Sequence, residues 1–318
     1  MTNPLTVAIL AGGLTHEREV SLHSGRRMTA LLREAGMQVK MLDVDGGLLG
    51  TLKAMSPDIV WPLVHGSTGE DGSLQDLLSL IGIPFIGSRA GACRIASDKA
   101  VASAVLATSG IAVPAAITLP QALFREVGVG PILDLVEKRF GFPLVVKPAQ
   151  GGSALGLTIV EHAGALPGAM VDCYAYGDEA RIEVYYAGTE VAVSVIDVGN
   201  GPEALPPVEI VTDGPYDYDA RYNAGRAEYF TPARLDGELL ASVKETALRV
   251  YELLGLRHLS RIDIIVQSDG TVRVLDINVA PGMTETSLFP QAVQAEATAQ
   301  GIDASDYYVK LVESASTN

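Results

Sequence analysis

Thr6-Val7-Ala8-Ile9-Leu10-Ala11-Gly12-Gly13-Leu14-Thr15-His16-Glu17 is an apolar, β-rich run, two glycines and a polar start to a segment whose apolar positions recur at helical spacing through Leu32. Strand, glycine loop and helix in that order make the first unit of a parallel α/β sheet. Residues 39–44, 59–63 and 84–86 read as further strands separated by helical stretches, so the alternation runs to about Gly87. Gly12-Gly13 at a helix start could seat an anion, but Glu17, Arg18 and Glu19 make the entry acidic and mixed. Glu17 suits an ammonium group there, or simply a favourable place on the helix dipole.

Beyond Gly87 the pattern changes. After a helix over residues 98–109, the run 110–120 is apolar, proline-bearing and poor in charge, which reads as a connector with a short strand. Strand signals then come as pairs: 144–147 with 157–160, and 180–185 with 191–197 across the turn Ala187-Gly188. Residues 213–228 are rich in Asp, Tyr, Gly and Arg without periodicity, and read as a functional lid. A helix over 239–254 precedes strands 260–267 and 271–276, joined by the Asp269-Gly270 hairpin signal. The expected class is therefore α/β, with α+β character in its later, mixed and partly antiparallel part.

The 318 residues give a prior of roughly two domains. With 23 Lys+Arg against 38 Asp+Glu, a net charge of −15 argues against a nucleic-acid or anionic-lipid partner, so any bound polyanion must meet a local cationic site. Cys93 and Cys173 are the two cysteines, without zinc or redox spacing, which fits a reduced, cytoplasmic setting. No basic leader and no apolar run near the roughly 18–20 residues of a membrane span are present, so the sequence reads as soluble and unexported.

Chemistry concentrates at Arg261-Ile262-Asp263 and Asp276-Ile277-Asn278. The period of two puts Arg261 with Asp263, and Asp276 with Asn278, on common faces that a hairpin brings together. Two carboxylates and an amide oxygen suit Mg²⁺, and Arg261 adds a fixed cation for an oxyanion; an exposed hairpin face with one salt bridge fits the same residues equally well. Gln150-Gly151-Gly152-Ser153-Ala154-Leu155-Gly156 follows Lys147 and could cradle phosphate, or be only a turn. It is not a P-loop, since no G-x-x-x-x-G-K-[ST] occurs, and the absence of G-x-G-x-x-G after the first strand argues against a dehydrogenase. His65-Gly66 with Gly69-Glu70-Asp71-Gly72 lies past a strand's carboxyl end, the usual ligand edge of an open sheet, and a hydrogen-bonded loop histidine with no ligand fits the same residues equally well.

Taken in order, these pieces resemble the D-alanine-D-alanine ligase family of the ATP-grasp fold over nearly the whole chain. The resemblance rests on Gly12-Gly13, Glu17-Arg18-Glu19-Val20-Ser21-Leu22 and Ser24-Gly25, on His65-Gly66 with Gly69-Glu70-Asp71-Gly72, and on Asp98-Lys99. It continues through Val146-Lys147-Pro148, Gly152-Ser153, Tyr216-Asp217-Tyr218 with Tyr222, Arg261-Ile262-Asp263, Asn278, Pro281-Gly282-Met283-Thr284 and Ser287-Leu288. It implies an ATP-grasp architecture: a Rossmann-like parallel-sheet domain (1–98), a small α+β lid domain (99–186) and a C-terminal mixed-sheet catalytic domain (187–318).

The implied activity is ATP-dependent joining of two D-alanines through an acyl phosphate for cell-wall peptide. By this resemblance Lys99 and Lys147 grip the ATP phosphates under the Gly152-Ser153 loop, and backbone near Val184 and Tyr186 holds adenine beside Glu183. Glu190 takes the ribose, and Arg221 lies near the γ-phosphate. Asp263, Asp276 and Asn278 hold two Mg²⁺ ions, with Mn²⁺ as a substitute. Glu17 binds the first D-alanine's ammonium and couples to Ser153 and Tyr222, with His65 nearby. Arg261 stabilises charge on the reacting group, and Ser287 with Gly282 and Leu288 holds the second carboxylate. A homodimer through the first domain is also implied. Three positions depart from the family pattern: Asp276 replaces a glutamate, and Arg221 and Val184 replace lysines. The alternatives are a ligase joining other amino acids and a nucleotide-binding protein with weakened turnover.

Overall fold

The computed structural model describes residues 4–152, 154–222 and 225–316, except the Tyr222 side chain. Strand β1 (Thr6–Ala11) lies between β2 (Gln38–Asp43) and β3 (Ile59–Pro62), parallel to both. Its residues alternate between two cores: Val7 and Ile9 enter one, Ala8 and Leu10 the other. A strand buried on both faces needs such a continuous apolar run. The first core also takes Met28 and Leu32 from the helix Arg18–Glu34, and Phe289 and Tyr308 from helices near the end of the chain. Residues 84–86, expected as a fourth strand, make a single parallel bridge from Phe85 to Val60. Pro84 has no N–H to give a ladder, and Gly87 turns the chain away at φ +112°.

A second sheet is antiparallel, in the order β4-β7-β5-β6, from β4 (Ala116–Pro120), β5 (Leu144–Pro148), β6 (Thr158–Val160) and β7 (Glu179–Val184). Leu144, Val146, Ala180 and Ile182 enter the core beneath the helices Val129–Phe140 and Leu166–Tyr174. The period of two therefore puts Lys147, Arg181 and Glu183 on the opposite face.

The third sheet holds β8 (Thr189–Ile196), β9 (Glu203–Ala204), β10 (Val208–Thr212), β11 (Ala227–Phe230), β12 (Leu259–Val266) and β13 (Val272–Asn278). Its order is β11-β10-β8-β12-β13, with β9 on β8. Val191, Val193, Val195, Ile262 and Ile264 pack with Val243, Ala247 and Val250 of the helix Gly237–Leu253. That burial turns Arg261 and Asp263 to the other face.

Three expectations need correction. Residues 180–185 and 191–197 do not form a hairpin: β7 is flanked by β4 and β5, and β8 by β10 and β12, so neither has an edge free for the other. The intervening residues cross between sheets, and Gly188 passes so close to β12 that a Cβ would lie 2.3 Å from the Val266 carbonyl oxygen. The lid 213–228 is not structureless; it carries the short helix Tyr218–Tyr222 and the start of β11, whose charged Glu228 hides the strand pattern. Where a mixed sheet is expected, every described pairing in the third sheet is antiparallel. The five residues between β12 and β13 are too few for the crossover that parallel neighbours require. No helix among the described residues is long and apolar enough to cross a membrane.

Candidate active site

The β12–β13 register sets Arg261 opposite Asn278 and Asp263 opposite Asp276, so all four occupy one face. Arg261 donates from Nε and a terminal nitrogen to the two oxygens of Asp263, at 2.7 and 2.8 Å. Such a bidentate fork fixes both side chains. Lys99 Nζ donates to Asp276 Oδ1 at 2.9 Å and to the Gly151 carbonyl at 2.8 Å. Lys99 is held at the first turn of its helix because Asp98 caps it, accepting from the N–H groups of Ala100 and Val101. Burial disfavours the Asp276 carboxylate, but Lys99, helped by Lys147 and Arg221, outweighs it and holds the carboxyl below its ordinary range. Asn278 Oδ1 accepts from the Ala280 N–H at 3.0 Å.

This face forms part of a cavity of about 1090 Å³ between the second and third sheets, into which Lys99, Lys147, Glu183, Glu190, Asp263 and Asp276 project. Lys147 Nζ lies 2.9 Å from Glu183 Oε2 and 3.4 Å from the Leu275 carbonyl oxygen. Burial alone would raise Glu183, yet Lys147 and Arg181 together hold it below the usual carboxylate range. Among the described residues Glu190 has no cation so close, and desolvation pushes it up to about 7. Val184 and Tyr186 line the same cavity; the Val184 N–H donates to the Ala115 carbonyl at 2.9 Å, and the Arg273 guanidinium lies 4.0 Å from the centre of the Tyr186 ring. Arg221 donates to the Gly152 carbonyl at 3.1 Å and sits 4.6 Å from the Tyr216 ring centre, tying the lid helix to the glycine loop.

A second cavity of about 40 Å³ shares Glu17, Gly152 and Arg221 with the first and adds His65, Arg261 and Ser287. Glu17, which precedes the helix Arg18–Glu34, is buried. The tautomer of His65 follows from its neighbours. Its Nδ1 lies 3.1 Å from the Ala280 carbonyl, which can only accept, so Nδ1 carries the hydrogen. Nε2 then accepts from Ser24 Oγ at 3.1 Å, and that hydroxyl accepts from the Met283 N–H at 3.0 Å. Desolvation, with repulsion from Arg261, lowers His65 to about 4 and keeps the ring neutral. Ser287 precedes the helix Leu288–Gln300, whose N-terminus suits a carboxylate, and its hydroxyl accepts from the Thr284 N–H at 3.1 Å. A Cβ at Gly282 would stand 2.8 Å from Ser287 Oγ, so a side chain there would displace that hydroxyl.

Each sequence-predicted site residue with a described side chain lines one of the two cavities, as do Gly282, Leu288 and Asn278. Ser153 and the Tyr222 side chain lie outside the described residues. Two buried residues were absent from the candidate set. Glu70 accepts from the Gly66 N–H at 3.1 Å, its other oxygen lies 3.2 Å from a Cβ built on Gly152, and desolvation with the nearby Glu17 charge pushes it up to about 8. An acid in a glycine-rich loop past a strand's carboxyl end was its signal. Arg181 was signalled by standing two residues before Glu183 on one strand.

Residues 105–313 match the family model described as D-ala D-ala ligase C-terminus, and residues 49–88 match D-ala D-ala ligase N-terminus. A D-alanine–D-alanine ligase of Moorella thermoacetica is 38% identical over 311 residues, covering 97% of this chain and 98% of the relative. Another from Anaeromyxobacter sp. (strain K) is 40% identical over 286 residues, 90% of each chain. The crystal structure of D-alanine–D-alanine ligase from Bacillus anthracis aligns with a TM-score of 0.82 at 30% identity, over 98% of this chain and 97% of that one. The same protein complexed with ATP aligns at 0.79 and 28%, over 98% and 96%. With two antiparallel sheets facing across a cavity lined by lysines and carboxylates, and a parallel sheet beside them, the architecture is that of an ATP-grasp protein. The chain belongs to the D-alanine–D-alanine ligase family.

Proposed function

We propose that this chain condenses two D-alanines into D-alanyl-D-alanine at the expense of ATP, through D-alanyl phosphate, for the peptide stem of peptidoglycan. The observation that carries the reading is the junction of the two cavities: a large one with Lys99, Lys147 and Arg221 on its wall, and a small one bounded by Glu17, His65, Arg261 and Ser287.

Joining a carboxylate to an amine in water is uphill, so the carboxylate first takes a phosphoryl group and gains a good leaving group. The protein's work is then positioning and charge neutralisation. Lys99 and Lys147 hold the nucleotide phosphates, Glu183, Val184 and Tyr186 face the base, and Glu190 meets the ribose. Glu17 holds the first ammonium group, with Ser153 and Tyr222 closing over it and neutral His65 shaping the wall. One carboxylate oxygen attacks the γ-phosphorus and ADP leaves. The second D-alanine, its carboxylate at Ser287, Gly282 and the helix start at Leu288, attacks the acyl carbon with its amine and expels phosphate. Arg261 carries the negative charge of the tetrahedral intermediate. Arg221 joins lid to loop beside the phosphates.

Asp263, Asp276 and Asn278 present hard oxygens beside Lys99 and Arg261, a donor set that fits Mg²⁺. Two such ions, or Mn²⁺ in their place, would neutralise phosphate charge there. The reading places the protein in the cytoplasm as a homodimer, divided at 98/99 and 186/187; each segment contributes the strands of one sheet, which supports that division. The test is phosphate release from Mg²⁺-ATP with D-alanine, L-alanine, D-serine or D-lactate, with products identified by mass. Stimulation by D-alanine with a D-alanyl-D-alanine product is expected. A preference for another substrate would favour the ligase of different amino acids suggested by Asp276 and Arg221.

A further inference from the structure

Lys147 and Glu183 face the large cavity, but the third member of their ion cluster does not line it. Arg181 stands on β7 two residues before Glu183 and directly opposite Lys147 on β5, and it is 4% exposed. Its Nε donates to Glu183 Oε1 at 2.5 Å, and a terminal nitrogen donates to Ser103 Oγ at 2.8 Å. Glu183 Oε2 is held by Lys147 at 2.9 Å. One buried carboxylate is thus gripped at both oxygens by two cations, one lining the cavity and the other behind its wall. Ser103 lies on the helix that begins with Lys99, so the same guanidinium joins the base side of the cavity to the element carrying a phosphate-side lysine.

Burying a guanidinium is costly unless its partners repay the lost hydration, and the geometry says what this one secures. Lys147 cannot give its full charge to Glu183 and to a phosphate at once. Arg181, away from the cavity, can serve Glu183 alone. An ionised carboxylate offers only acceptors: it receives the exocyclic amino group of adenine and repels the carbonyl oxygen that guanine carries at the same place.

Resting on the ATP-dependent reading above, we propose that Arg181 is a positioning residue for the nucleotide. It fixes Glu183 as an acceptor for the base amino group and leaves the charge of Lys147 to the phosphates. It therefore sets ATP affinity and the preference for ATP over GTP, and leaves the amino-acid sites alone.

The test uses the full chain with Arg181→Met, Arg181→Lys and Ser103→Ala, measuring kcat and KM for ATP, GTP and D-alanine. Equilibrium binding of ATP and GTP by calorimetry is measured in parallel. Arg181→Met should weaken ATP binding about tenfold or more, the scale of a lost hydrogen bond to a charged group, and lower the ATP preference. Its kcat should stay within about threefold and its D-alanine KM should not move. Arg181→Lys should recover part of the loss, because it keeps the charge without the fork. Ser103→Ala should shift both nucleotide readouts the same way by about two- to threefold, less than Arg181→Met because the guanidinium keeps its bond to Glu183 and loses only the one it donates to Ser103. Wild-type ATP affinity and base preference in Arg181→Lys and Ser103→Ala would overturn the proposal even if Arg181→Met fails to fold. A loss confined to kcat would overturn it too. The calorimetric comparison needs no turnover, so a wild-type protein that binds ATP but does not condense D-alanine would sink the ligase reading and leave the test of Arg181 intact.

Discussion

Replacing Arg261 with alanine removes the cation that holds both oxygens of Asp263, in a pair whose side chains are each less than a tenth exposed. Two separable losses follow. The Asp263 carboxylate is left buried and facing Asp276 across the hairpin, so the folded protein should lose about 3–5 kcal/mol, the usual cost of breaking a buried pair from one side. Negative charge also builds on the reacting group only as the tetrahedral intermediate forms, and removing one fixed donor from such charge lowers kcat by about 10²–10³-fold. Arg261→Lys keeps the charge and gives up the fork, so it should retain more of both. The assay is phosphate release with ATP and D-alanine varied separately, alongside denaturant unfolding in the same buffer. A kcat within about threefold of wild type, or a loss carried wholly by KM, would refute the reasoning by making Arg261 a source of uniform binding.

Glu70→Gln should change how stability depends on pH. The folded Glu70 carboxyl titrates at about 8, above the roughly 4.3 of an unfolded chain, so the folded state holds an extra proton across that window and its contribution to stability falls as pH rises through it. Thermal melts from pH 5 to 8 should be flatter for the variant, and parallel curves would contradict the burial argument. Asp276→Asn removes the charge paired with Lys99 at 2.9 Å and one carboxylate offered to metal; Mg²⁺ titration of activity should shift at least about tenfold, and an unchanged titration would show that Asp276 is not a ligand. Gly282→Ala puts a methyl group 2.8 Å from Ser287 Oγ, an overpacking worth about 1–3 kcal/mol, so D-alanine KM should rise while ATP KM stays put. Equal changes in both would point to a general distortion.

Much of this was legible in the chain because its signals are local. The strand, glycine turn and helix from Thr6 to Glu34 follow from apolar periodicity, and the Asp269-Gly270 turn marks the β12–β13 hairpin, whereas the register shift between Asp263 and Ile264, which brings Arg261 and Asp263 opposite Asn278 and Asp276, carries no signal in the sequence. What escaped depends on contacts between distant segments. The sequence around Ala187-Gly188 carries a turn signal, and nothing in it says that the edges of β7 are already taken by β4 and β5. Glu70 looks like an ordinary loop acid until Gly152, far along the chain, closes over it and makes its charge costly. Arg181 reads as a solvated strand residue, and only Ser103 and the packing of the second sheet bury it. The roles of individual residues came from the resemblance to the family, whereas their meeting at two adjoining cavities is a product of the fold.

The most direct test of the account follows one oxygen atom. D-alanine labelled with ¹⁸O in both carboxylate oxygens is turned over with unlabelled ATP in the presence of Mg²⁺, and the released phosphate and the dipeptide are analysed by mass. Attack of the carboxylate on the γ-phosphorus followed by expulsion of phosphate moves one carboxylate oxygen into phosphate, so one ¹⁸O should appear there for each D-alanyl-D-alanine formed. Unlabelled phosphate beside labelled dipeptide would contradict the acyl-phosphate route on which the roles of Lys99, Lys147 and Arg261 depend.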